Sequence, residues 1–150
     1  MSFDTLASRL KTILEAITGI STVNSFVAVY DYPPNESELT GFPLAIVLDD
    51  ENQSGFDTTA DNRREYSFRI VLMLLIEDPT NSASVRDAYR TMRKIVDKVM
   101  NTLDDNQNLS GDADWTFPAP AQMNIRTDVP AGEALLSEIR LRVRKDYRAS

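Results

Sequence analysis

The chain has 150 residues, 42% hydrophobic and 26% charged, with a formal net charge of −7 and neither histidine nor cysteine. That length suits a single domain with its own core, and the composition excludes wholesale disorder. The acidity argues against a nucleic-acid binder that works by neutralising phosphates. The missing residue types remove disulfides, thiolate chemistry, the commonest general base and the serine–histidine and cysteine–histidine nucleophile pairs.

The first segment sets Phe3, Leu6, Leu10, Ile13, Leu14 and Ile17 on one stripe at helical spacing, with Ser2 or Asp4 as cap and Gly19 as stop. It mixes Asp4, Arg9 and Lys11 into its apolar residues, so no export signal is expected. Ser25 to Tyr32 and Phe42 to Leu48 read as strands, the first ending at Pro33-Pro34. The polar run after Leu48 carries Asp49, Asp50, Glu51, Asp57 and Asp61, and predicts a projecting, mobile acidic hairpin loop at about residues 49–62.

Arg63 to Ile76 follows as a strand with two unlike faces. Tyr66, Phe68, Ile70, Leu72, Leu74 and Ile76 make one face apolar throughout. The other begins as Arg63, Glu65, Ser67 and Arg69 and turns into Val71, Met73 and Leu75. The longest apolar run, Ile70 to Ile76, is far below the ~20 residues of a spanning helix, so no membrane partner is expected. Ser82 to Leu103 is a long amphipathic helix, with Ser84 and Asp87 arranged like a capping box. Asp104 to Ala121 reads as a loop feeding a short strand at Gln122 to Thr127, then a turn at Pro130 to Gly132. Leu135 to Tyr147 is the last element; a helix would strand Leu141 on its polar side, so the strand reading is preferred. The order of helix, three strands, helix and two strands predicts an α+β fold, a mixed or antiparallel sheet of about five strands with two main helices packed on it.

No phosphate-binding glycine loop occurs, and no cofactor is implied. Asp104, Asn106 and Asn108 imitate the start of a calcium loop, which then fails at Leu109 and Trp115, where glycine and a bidentate glutamate are needed. The acidic loop could in principle hold a hard cation, although like-charge loops are usually just solvated. A carboxylate metalloenzyme or small-ligand binder therefore stands as the rival class, against a non-enzymatic assembly protein.

Surfaces carry more information than motifs. Val71, Met73 and Leu75 need cover, expected in part from a helix of the same chain and completed by a second subunit together with Arg69. Arg140, Arg142 and Arg144 form a basic stripe on one strand face, either solvated beside acids or an interface that meets the acidic loop of another copy. Trp115 and Phe117 are either a partner-contact tip or a lid folded on the core.

Together the segments FDTLASRLKTILEAI, FPLAIVLDDENQSGFDTTADNRREYSFRIVLMLLI, SVRDAYRTMRKIVDKVMNTL and LLSEIRLRVRKDY give an order and size that resemble the tail terminator, or tail-completion, proteins of long-tailed bacteriophages. The resemblance covers nearly the whole chain and rests on element order. It implies a structural virion protein, not an enzyme, that assembles in the host cytoplasm as a ring, usually a hexamer, on the head-proximal end of the tail tube. Its partners would be copies of itself, the tail tube protein and a head-completion or neck protein. DNA would pass an acidic lumen without being gripped; a lumen lined by Arg140, Arg142 and Arg144 would contradict that. Another head–tail neck or completion protein is the nearest alternative.

Overall fold

The computed structural model describes residues 3–20, 24–50, 55–56, 63–107, 109 and 113–146. Helix α1 spans Phe3–Glu15 and helix α2 Ser82–Asp105. The strands are β1 (Ala28–Tyr30), β2 (Leu44–Asp49), β3 (Gly55–Phe56), β4 (Arg63–Leu75), β5 (Trp115–Val129) and β6 (Gly132–Asp146). Five of them run side by side in the order β1-β2-β4-β6-β5, and the two-residue β3 adds to β4. Only the β1–β2 pairing is parallel. The fold is α+β, a mixed sheet with two helices on one face.

Both helices fold because their apolar positions repeat at the helical period and so present one stripe to the sheet. Leu6, Leu10 and Leu14 of α1 are fully buried, as are Met92, Val99 and Leu103 of α2. They meet Tyr66, Phe68, Ile70 and Leu72 of β4, Ala45 and Val47 of β2, and Leu135, Ile139, Leu141 and Val143 of β6. Phe3 seats edge-on against Tyr66 and Phe68, with ring centres 4.8 and 5.7 Å apart. The even-numbered face of β4 is thus the core face, as its alternation predicts.

Several boundaries differ from the sequence reading. The N-cap of α2 is Asn81, whose side chain accepts from the backbone N–H of Ala83 and Ser84. Ser84 sits one turn too late for that role, and its Oγ instead accepts from the Asp78 N–H. Strand β1 is only three residues long; before it Val27 still donates its N–H to the Pro43 carbonyl, and after it Tyr32 leads into the diproline turn. The largest difference is β5. Trp115 to Ala121, read as loop, belongs to a 15-residue strand paired along β6. Its Pro118 and Pro120 are tolerated because β5 is an edge, where a missing donor can face outward.

The second face also departs from expectation. Leu44, Ile46, Val71, Met73 and Ala134 form a separate apolar cluster there. Neither helix covers it. The β1–β2 connection crosses over it instead, laying Leu39 and Phe42 on the cluster beside Tyr30, while Val129 and Leu136 close the other side. A parallel pair needs a crossover connection, and here a chain segment with one 3-10 turn at Glu36–Glu38 does a helix's work.

Candidate assembly surface

Strand pairing turns the second face into rows. Leu44, Met73, Leu136 and Ile125 lie abreast; then Ile46, Val71, Glu138 and Gln122; then Leu48, Arg69, Arg140 and Ala119. Beyond them come Ser67, Arg142 and Phe117, and finally Glu65, Arg144 and Trp115. The face therefore grades from apolar to charged along each strand, as the odd-numbered residues of β4 predict. Val71 and Met73 are 7% and 5% exposed, so the cover they need comes from their own chain and they are not open to a second copy. Leu75 is half-buried and, with Leu74, lines a groove of about 910 Å³ beside Phe42, Ala88 and Lys94.

Acids on neighbouring strands answer most of the basic stripe. Arg69 Nε lies 2.8 Å from Glu138 Oε1, and Arg142 donates to Glu65 Oε2 at 2.8 Å. Such half-wet pairs are worth about 0–1 kcal/mol each, enough to orient the side chains but not to hold the fold. Arg144 is engaged as well. Arg140 is the exception: exposed, with no ion-pair or hydrogen-bond partner among the described residues. It borders a hollow of about 310 Å³ walled by Phe117, Ala119, Leu141, Arg142, Ser67 and Asp50.

Trp115 and Phe117 do not fold back on the core. They are 49% and 50% exposed and stack on each other at 6.3 Å with 14° between their planes. Further along β5, Met123 and Ile125 are 41% and 43% exposed. Two other large apolar side chains, Val27 and Tyr32, are at least half exposed, and both flank β1. All six exposed large hydrophobic side chains of the described residues thus stand at one or the other edge of the sheet.

The two edges differ in charge. Around β1 the turn carries Asp31, Glu36 and Glu38 and no base. Glu38 accepts from the Tyr32 hydroxyl at 3.3 Å and the Asn35 N–H at 3.3 Å. Its negative charge holds the Tyr32 phenol above its ordinary range. The β5–β6 edge carries the arginines, and at its hairpin end Arg126 hydrogen-bonds Glu133, holding that carboxyl below its ordinary range. Sequence reading missed Val27, Tyr32, Met123, Ile125 and the acidic turn; the signal available was Pro33-Pro34 set between an aromatic and acids.

Of the acidic-loop residues, Asp49 ends β2, and Asp50 donates its N–H to the Ser67 carbonyl at 2.8 Å. Glu51, Asp57 and Asp61 lie outside the described residues, as does Asn108. Asn106 is the C-cap of α2, its side-chain amide spent on the Thr102 carbonyl at 2.8 Å. Among the described residues no three acidic side chains converge to hold a metal ion, and no helix is long and apolar enough to cross a membrane. Comparison with known proteins finds no family model that matches the chain, and no curated protein that matches it either.

Proposed function

We propose that the chain is a structural virion subunit, a tail terminator of a long-tailed bacteriophage. It closes as a hexameric ring on the head-proximal end of the tail tube and joins the tube to the head or neck. The observation that carries this reading is the placing of every exposed large hydrophobic side chain of the described residues at one of two opposite, unlike sheet edges. A subunit in a ring needs two different surfaces that fit each other, because a head-to-tail contact closes only when each copy offers both. A ligand-binding or catalytic domain would instead be expected to gather its apolar and polar groups in one cleft. The element order and the α+β fold support the same reading. The net charge of −7 suits a ring through which DNA slides without being gripped.

Native mass measured over a concentration series, with negative-stain images of the same sample, tests the proposal. The expected species is a ring of about 100 kDa, six chains of 16.9 kDa. A chain that stays monomeric at every concentration, both alone and mixed with tail tubes, refutes it.

A further inference from the structure

We propose that the turn Asp31 to Glu38 beside β1 of one copy docks on the Arg140–Phe117 hollow of the next, with Asp31 and Glu36 facing Arg140 and Tyr32 entering the hollow. This rests on the ring reading and names the groups that would join it. Arg140 is the one guanidinium of its stripe left without a partner among the described residues, whereas Arg69 and Arg142 are each paired at 2.8 Å. Planar guanidinium groups favour carboxylates that they can grip with two N–H bonds.

Within the chain no ion pair joins Asp31 or Glu36 to Arg140, and strand β1 itself lies three strand spacings, roughly 14 Å, from β6. A second copy is free to bring its own turn onto this face. On the acidic side, Glu38 is already occupied by Tyr32 and Asn35, while the side chains of Asp31 and Glu36 have no hydrogen-bond or ion-pair partner among the described residues.

Shape and rigidity agree with charge. Pro33-Pro34 stiffens the start of the turn and the 3-10 turn at Glu36–Glu38 its end, so little chain entropy is lost when it docks. Tyr30 and Tyr32 contact edge to face at 5.7 Å, which holds the exposed Tyr32 ring outward beside the acids. On the receiving side the stacked Trp115 and Phe117 offer a flat aromatic wall next to the arginines. Pro118 and Pro120 lack the donors needed to extend the sheet, so the contact runs through side chains on the face and not through strand addition at the edge.

Charge exchange tests this. Arg140→Glu spoils one edge, and the double variant Asp31→Lys/Glu36→Lys spoils the other. Each alone should self-associate at least about tenfold more weakly than the wild type in analytical ultracentrifugation, the scale of close interfacial charge pairs. An equimolar mixture of the two should assemble again, since every junction then brings opposite charges together and an even-numbered ring can alternate the variants. All these side chains are surface groups, so unchanged thermal unfolding confirms that the variants are folded. If the wild type forms rings and either variant assembles as well as it does, or the mixture fails to recover, the docking assignment is wrong and the ring reading stands. If the wild type never assembles, either alone or mixed with tail tubes, both fail.

Discussion

Replacing Phe117 by Ser separates an assembly residue from a folding residue by magnitude. Phe117 is 50% exposed in the single chain. An aromatic side chain buries ~200 Å² when fully covered, which leaves ~100 Å² here for a partner; at ~25 cal/mol per Å² that amounts to ~2.5 kcal/mol, or a ~70-fold weaker contact after truncation. Within the chain Phe117 has its stack on Trp115, at 6.3 Å, to lose. Aromatic pairs contribute ~0.5–1.5 kcal/mol, and a half-wet pair belongs at the lower end. For a chain of this size that lowers the melting temperature by roughly 1–2 °C. Sedimentation velocity over a dilution series and a thermal melt of the same sample read the two quantities side by side. Self-association as strong as the wild type's, or a loss of stability on the scale of a core truncation, would refute the reasoning.

Phe68 is fully buried and provides the contrast: Phe68→Ala should cost ~3–5 kcal/mol of unfolding free energy in a denaturant titration. Ser137 is fully buried in β6, and its Oγ accepts the Asn124 N–H at 3.0 Å where β5 bulges, so Ser137→Ala leaves a part-buried donor unanswered and should cost ~1–2 kcal/mol. Asn81→Ala removes the acceptor for two N–H groups at the start of α2 and should cost ~1 kcal/mol, with the helix's first turn exchanging its amide hydrogens faster. The Arg126 hydrogen bond depresses the Glu133 carboxyl, so its contribution is present above the unfolded-state value and fades as pH falls through the lower folded-state value. In an NMR titration Arg126→Gln should return Glu133 upward to the ordinary carboxylate range; an unmoved midpoint would show that the pair does not set it.

The parts of the fold that were legible before the structure are those where burial is one-sided. Strand β4 announces itself because Tyr66, Phe68 and Ile70 alternate with the polar Glu65, Ser67 and Arg69, and α2 because Met92, Ile95, Val99 and Leu103 repeat at helical spacing. The first half of β5, Trp115 to Ala121, reads as loop because a largely exposed edge strand has little alternation to show, and two prolines imitate a break, whereas Gln122 to Thr127 reads as strand. The cover over Val71 and Met73 was misassigned to a helix for a different reason. Leu39 and Phe42 reach the cluster through a parallel crossover, and a contact across the sheet leaves no local pattern. Of the surface, the stripe of Arg140, Arg142 and Arg144 on one face followed from strand geometry alone. That Arg69 and Arg142 are paired while Arg140 is open depends on strand register, which places Glu138 and Glu65 within reach of them. Phe117 and Trp115 are open in the sequence between tip and lid, and their exposure and stacking rule out the lid.

The inequality of the two sheet edges has a geometric consequence. In the contact proposed above, the acidic turn that follows the three-residue β1 meets the face beside the 15-residue β5, so copies joined by it all point in a single sense. A closed object built that way has rotational symmetry and no twofold axis lying in its plane. Its two sides are therefore necessarily different surfaces made of the same chain. Under the function proposed above, one side would meet the tube and the other the head or neck.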